Sequence, residues 1–372
     1  MTSQQEKCDS FIKVFRTLRE ESRQAELLLG ALLVAYAVLL LVCGSLFLGK
    51  RLKPRPPRYW TRGRCCISDD YEAEVDVTSE VGVAVQLLLN ASTFSKAIGR
   101  GRDAEGLTHK ALKVLRVTRI ENGRQWTRYK QVKKRIPKVN VLLRRMPPDL
   151  RARTLDALDI ISRKNQKLLA EPHVMEFLNS LKLDSSRNEQ LMFHGCPGAG
   201  ARNQNGVVKF QTESESPVHA VKRQGFDDRL GNVAGMYGSG TYFADMASKA
   251  DQYSGRYNEP DDPAGSIGER ATMFLARVTL GCPFLTNQSL EQLRRPPCIE
   301  GHFDLNLSWN NDVKMGRPWL EKGVPFQICE HPRFDSVMGD LVIEGKRKIY
   351  REYVVYEKQS YPEFCVLYER VV

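Results

Sequence analysis

The chain has 372 residues, 42% of them hydrophobic and 27% charged, with a formal net charge of +12. That length holds one large or two ordinary domains with a core. Cysteines at 8, 43, 65, 66, 196, 282, 298, 329 and 365 are odd in number and contain no C-x-x-C pair, which argues against a disulfide framework and for free thiols in a reducing compartment. The positive charge points to an anionic partner, such as a membrane surface, nucleic acid or a phosphate-bearing substrate.

A short segment, residues 1–26, precedes an uncharged run over 27–49. Such a run is long enough to cross a hydrocarbon core of about 30 Å as a helix. A buried core helix is rarely apolar all round for so long. A cleaved signal peptide would start earlier and end in a small-residue cleavage site, which is missing. The expectation is a single-pass signal anchor in a membrane the sequence does not specify. Lys7, Lys13, Arg16, Arg19 and Arg23 flank it on one side, and Lys50, Arg51, Lys53, Arg55, Arg58, Arg62 and Arg64 crowd the other. The denser cluster orients residues C-terminal to the anchor toward the cytosol. Cys65 and Cys66 follow as candidate palmitoylation sites or idle thiols.

Residues 50–73 read as a basic, Pro-rich linker, and 74–372 as the main domain. Residues 83–89 are apolar, a buried helix or strand. Residues 114–120 alternate as a strand, Asn122-Gly123 marks a turn, and a helix follows with Trp126, Tyr129 and Val132 on one face. Residues 107–136 carry ten Lys/Arg against one acid, Glu121. Solvated element faces explain this most simply. An anionic-lipid patch is the sharper alternative, and nucleic acid ranks third because no known binding module is recognisable. Helical spacing runs through 142–183. A polar stretch at 198–217 and another stretch near 290–326 look like further insertions. Later segments, 273–280, 336–343, 352–356 and 364–368, are strand-like. Cys298, His302, Cys329 and His331 have spacing too poor for structural zinc.

Three separated blocks carry the chemistry: Phe193-His194-Gly195, then Gly238-Ser239-Gly240-Thr241-Tyr242-Phe243-Ala244, then Glu352-Tyr353-Val354-Val355-Tyr356. Alone, His194 reads as a core histidine, and Tyr242 and Tyr253 as core aromatics. Glu352 is an acid on a strand face shared with Tyr350, Val354 and Tyr356, where a carboxylate needs a reason to be. Gly238-x-Gly240 is neither a dinucleotide fingerprint nor a P-loop, since the required third glycine and lysine are absent. It reads as a tight turn seating Tyr242.

In order and in neighbours, the three blocks resemble the catalytic domain of the poly(ADP-ribose) polymerase family, closest to its tankyrase-like and mono-ADP-ribosyltransferase branches. Asp335-Ser336-Val337 and Tyr361-Pro362-Glu363-Phe364 extend the resemblance. It implies an α+β fold of two packed, mostly antiparallel sheets with flanking helices. It also implies an enzyme that cleaves the nicotinamide–ribose bond of NAD and transfers ADP-ribose to protein acceptors, itself included, with no metal. By the resemblance, Glu352, His194 and Tyr242 are catalytic. His194 holds a ribose hydroxyl, Gly195 offers backbone groups to the nicotinamide amide, and Tyr242 and Tyr253 pack on the two ring faces. Asp227, in Gly225-Phe226-Asp227-Asp228-Arg229, opens the loop over the adenosine. The zinc site of tankyrases has no counterpart, because residues 254–272 contain neither Cys nor His. Ala250 stands where relatives usually have a serine that bonds the carboxamide, so NAD affinity is in question. A catalytically weak NAD- or ADP-ribose-binding scaffold is the alternative reading, with RNA-directed modification as a weaker third. Glu352 permits polymer formation without establishing it.

Overall fold

The computed structural model describes residues 20, 32, 34–39, 54–61, 70–93, 109–198, 212–227, 235–254, 270–291, 293–299 and 331–371. The chain divides into two units, Met1–Arg55 and Pro56–Val372. In the first unit residues 20, 32 and 34–39 are helical. Leu32, Val34, Tyr36, Val38 and Leu39 are all more than half exposed, at 65, 65, 60, 53 and 60%. The rest of the uncharged run, and Cys65 and Cys66, lie outside the described residues. Among the described residues no helix is long and apolar enough to cross a membrane.

The second unit runs β1 (Asp70–Val75), α1 (Glu80–Ala91), β2 (Ala111–Asn122), α2 (Gly123–Arg135), α3 (Val139–Leu143), α4 (Pro148–Leu169), α5 (Pro172–Leu181) and β3 (Glu189–Gly195). It continues with α6 (Pro217–Gln224), β4 (Thr241–Phe243), α7 (Ala247–Asp251), β5 (Arg270–Thr279), β6 (Pro283–Thr286), β7 (Ser336–Gly339), β8 (Val342–Ile343), β9 (Lys346–Arg347), β10 (Tyr353–Val355) and β11 (Ser360–Val371). Ser79 caps α1 by accepting from the Gly82 N–H at 3.3 Å, and Asn122 caps α2 by accepting from the Gln125 N–H at 3.0 Å. Both satisfy first-turn donors that have no partner within the helix. Helices α4, α5 and α6 open on Pro148, Pro172 and Pro217, where a missing N–H costs nothing.

A five-stranded sheet has the order β1-β2-β11-β5-β3 and a four-stranded sheet the order β4-β10-β7-β6, with β8-β9 a separate ribbon. All pairings in the first sheet are antiparallel. In the second, only β6–β7 is parallel. Strand alternation separates the core into two layers. Met273 and Leu275 of β5, with Phe364 and Val366 of β11, pack under α1 and α5. Phe274, Ala276 and Cys365 face the second sheet through Phe243, Met338 and Tyr353. Because β5 is covered on both faces, its sequence is a nearly unbroken apolar run rather than an alternating one.

Several elements differ from the sequence expectation. Strands β2 and β11 extend well beyond 114–120 and 364–368, because each is hydrogen-bonded to neighbours on both sides, which lets polar residues such as Arg119 and Glu369 remain in register. The strand at 352–356 shortens to β10. Glu352 sits just before it, its carbonyl accepting from the Gly339 N–H at 2.9 Å. Trp60 packs with Trp126, Tyr129 and Tyr361, so this aromatic residue belongs to the folded unit.

Candidate active site

The two sheets meet at the end of β3. The Phe193 N–H donates to the Ala244 carbonyl at 2.8 Å, and the Ala244 N–H donates back to the Phe193 carbonyl at 2.9 Å. His194 therefore lies directly against β4. Its ring packs on Phe226 and Phe243, with centroids 4.9 and 5.5 Å away, and its Nδ1 lies 2.7 Å from the Tyr242 carbonyl oxygen. A carbonyl can only accept, so Nδ1 carries the proton and Nε2 keeps its lone pair. Burial pushes the imidazole below its ordinary range, although the Tyr242 carbonyl opposes this. His194 is thus a neutral ring offering an acceptor.

Gly238 adopts φ +74°, and a Cβ there would come within 2.0 Å of the Leu293 oxygen. A Cβ at Gly240 would meet Val354 Cγ1 at 2.3 Å. Both glycines let the turn lie flat on its neighbours. Tyr242 closes the turn: its hydroxyl donates to the Gly238 carbonyl at 2.8 Å and accepts from the Tyr237 N–H at 2.9 Å. With the hydroxyl committed, the ring is what Tyr242 presents, stacked 6.5 Å from Tyr237.

Register places Tyr353 of β10 opposite Phe243 and Val354 opposite Tyr242, so Glu352 emerges beside the start of α7. There Lys249 Nζ lies 3.0 Å from Glu352 Oε1 and donates to the Tyr253 hydroxyl at 3.0 Å, 4.8 Å from that ring's centroid. Burial disfavours the ammonium, but Glu352 and Tyr253 outweigh it and hold Lys249 above its usual range. Tyr253 remains 47% exposed. Helix α7 is fastened from behind, where Arg370 Nε donates to Asp251 Oδ1 at 2.9 Å and His109 Nε2 lies 3.0 Å from Asp251 Oδ2. Burial opposes the charge on Asp251, yet Arg370 and His109 keep its carboxyl below the ordinary range.

Gly195 faces α7 at a distance no side chain would allow, since a Cβ would sit 1.8 Å from the Ala250 oxygen. That oxygen also accepts from the Ser254 hydroxyl at 3.2 Å. Ala250 itself is buried at 3% exposure, packed with Phe193 and Ala247. His194, Gly195, Tyr242, Tyr253 and Glu352 therefore converge around β4 and α7. Asp227 follows Phe226 but turns to Lys358, 3.7 Å away, and the loop at 228–234 lies outside the described residues. Sequence reasoning missed Lys249, although its four-residue spacing to Tyr253 on one helix was an available signal. The Asp251–Arg370–His109 cluster gave no signal, because its members are more than a hundred residues apart in sequence.

Among the described residues no group of three His, Cys, Asp or Glu could hold a metal ion. Cys298 is buried and bridges to Arg333, while His302 and Cys329 lie outside the described residues.

The two packed sheets thus bring His194, Tyr242 and Glu352, from β3, β4 and the residue before β10, close to one another. The family model of the poly(ADP-ribose) polymerase catalytic domain matches residues 93–369, and the chain belongs to that family. It is an NAD-dependent ADP-ribosyltransferase, with NAD as substrate.

Proposed function

We propose that the chain is a membrane-anchored protein ADP-ribosyltransferase whose catalytic domain faces the cytosol. The observation that carries the site assignment is the Glu352–Lys249 pair opposite the Gly195–Ala250 approach. A glycine pressed to a helix carbonyl leaves bare backbone N–H and C=O for a planar carboxamide, and the fit of nicotinamide there rests on that cradle. Tyr242 and Tyr253 supply ring faces to either side. His194 Nε2 accepts from a ribose hydroxyl. Glu352 faces the positive charge that grows on the sugar as the nicotinamide bond breaks, and stabilises the transition state more than the ground state. Lys249 pairs with that carboxylate and orients it. Asp227 belongs to the adenosine side of the site.

Membrane anchoring rests on the uncharged run at 27–49, the exposed apolar side chains of Leu32, Val34 and Leu39, and the dense basic flank at 50–64. Two experiments test the reading. Purified full chain incubated with tagged NAD labels itself or an added protein, and Glu352→Gln removes the label. No label from the wild-type chain would refute the transfer assignment. A protease added outside sealed microsomes digests residues 50–372 and spares 1–26. Protection of the domain would reverse the orientation.

A further inference from the structure

A groove of about 570 Å³ opens where the end of α2 and helix α3 meet residues 294–296, 332–335 and 356–359. Its floor is apolar, built from Val132, Ile136, Leu142, Phe334 and Tyr356, all buried. Val141 stands at the groove's edge with 43% exposure. Every cation lining the groove is an arginine: Arg135, Arg145, Arg294, Arg295 and Arg333. Arg135, Arg145 and Arg294 are exposed and form no ion pair among the described residues. The two acids of the lining are Asp335, whose Oδ2 accepts from the Cys282 N–H at 2.9 Å, and Glu357, exposed at the edge. The surrounding sequence deepens the bias, since residues 122–148 contain nine Lys/Arg and no Asp or Glu.

An apolar floor under a charged rim is the anatomy of a recognition surface, and arginine is the cation enriched there. From these features we infer that the groove docks an acidic segment of the protein acceptor, with carboxylates on the arginine rim and an apolar side chain on the floor. The guanidinium fork matches a carboxylate with two parallel hydrogen bonds, which a lysine cannot do. A bilayer is a poor occupant because its surface would touch the rim and leave the recessed floor unfilled. Nucleic acid is disfavoured by Glu357, because a uniformly charged strand cannot avoid a fixed carboxylate, whereas a peptide can place its acids elsewhere.

The groove's place in the fold suits such a role. Tyr356 of its floor and Glu352 flank opposite ends of β10, four residues apart, or roughly 13 Å at the strand rise. A segment anchored in the groove therefore leaves about four extended residues to reach the carboxylate. This inference rests on the transferase reading above, but its binding arm needs no turnover, so the two can fail separately.

The test uses the full chain in detergent and a fluorescein-labelled peptide of alternating glutamate and leucine, followed by anisotropy. The wild-type chain binds the peptide, and Arg145→Glu with Arg294→Glu weakens binding on the order of tenfold or more, as expected when two rim charges are reversed. Melting temperature and the KM for NAD stay unchanged, while the KM for an acceptor carrying the peptide rises. If the double variant fails to fold, the single changes Arg145→Gln and Arg294→Gln each weaken binding by about threefold. Unaltered peptide affinity in folded variants overturns the inference. So does a wild-type chain that ignores the peptide but binds phosphatidylserine vesicles, a poly-dT oligonucleotide or free ADP-ribose through these arginines.

Discussion

Arg277 of β5 and Lys249 of α7 are both cations paired with glutamate. Arg277 Nε donates to Glu363 at 2.9 Å, its Nη1 lies 3.5 Å from Glu189, and its Nη2 donates to the Leu181 carbonyl and the Tyr59 hydroxyl, each at 2.9 Å. Glu189 is also contacted by Lys133 Nζ at 2.5 Å and by the Tyr129 hydroxyl. Both glutamates are fully buried. The charged groups are paired with one another and closed off from solvent. Lys249 and Glu352 keep 11 and 19% of their side-chain surface, and Glu352 has few competing partners. The same ion-pair chemistry is scaffold when enclosed, and stays partly open to solvent at the candidate site.

Four substitutions or conditions would break or sharpen that contrast, taken from the largest expected effect to the smallest. Arg277→Met leaves two buried carboxylates without their shared cation, which should destabilise the domain by about 3–5 kcal/mol. Chemical denaturation measures this, and a loss under 1 kcal/mol would show that the network is not a structural centre. Glu352→Gln should lower transferase rate roughly 100-fold or more with little change in NAD affinity or melting temperature. Near-normal turnover would remove Glu352 from the catalytic set.

The third concerns pH. Burial holds the His194 imidazole below its ordinary value of about 6.5, so the unfolded chain binds that proton more readily than the folded one. The contribution of His194 to stability is therefore complete above about pH 6.5 and erodes as pH falls below it. The rate should be flat between pH 7 and 8 and decline only below 6.5. A rate that instead climbs through that range would assign His194 a protonated role.

The smallest effect belongs to Ala250→Ser. A hydroxyl reaching the carboxamide would tighten NAD by about 3- to 30-fold, seen in KM more than kcat. The packing of Ala250 against Phe193 and Ala247 favours the lower end of that range. Weaker binding would mean that the side chain points wholly into the core.

The sequence conveyed the candidate site's motif residues better than their supports. His194, Tyr242 and Glu352 each sit in a short block whose neighbours do local work: Gly195 clears the backbone, and Gly238 and Gly240 shape a turn. Such constraints act over a few residues and leave a readable pattern. Helix α2 was legible for the same reason, since Trp126, Tyr129 and Val132 follow the helical period. Arg370, Asp251 and His109 cooperate only after folding, so no spacing announces them. The shortening of the strand at Glu352 was hidden too, because hydrogen bonding by Gly339 and Phe243, rather than residue preference, decides where pairing stops.

The five-stranded sheet has a consequence for biosynthesis. Its central position, between β2 and β5, is filled by β11, the last strand in chain order. A ribosome adding about 5–20 residues per second needs on the order of tens of seconds to travel from β2 to β11. Throughout that interval β2 has an open edge where β11 will later dock, and β5 joins it once made, so the nascent domain waits with adhesive strands exposed. Chaperone demand during translation should therefore be high, and a stop codon placed just before Ser360 should leave an aggregating product rather than a smaller, weaker enzyme.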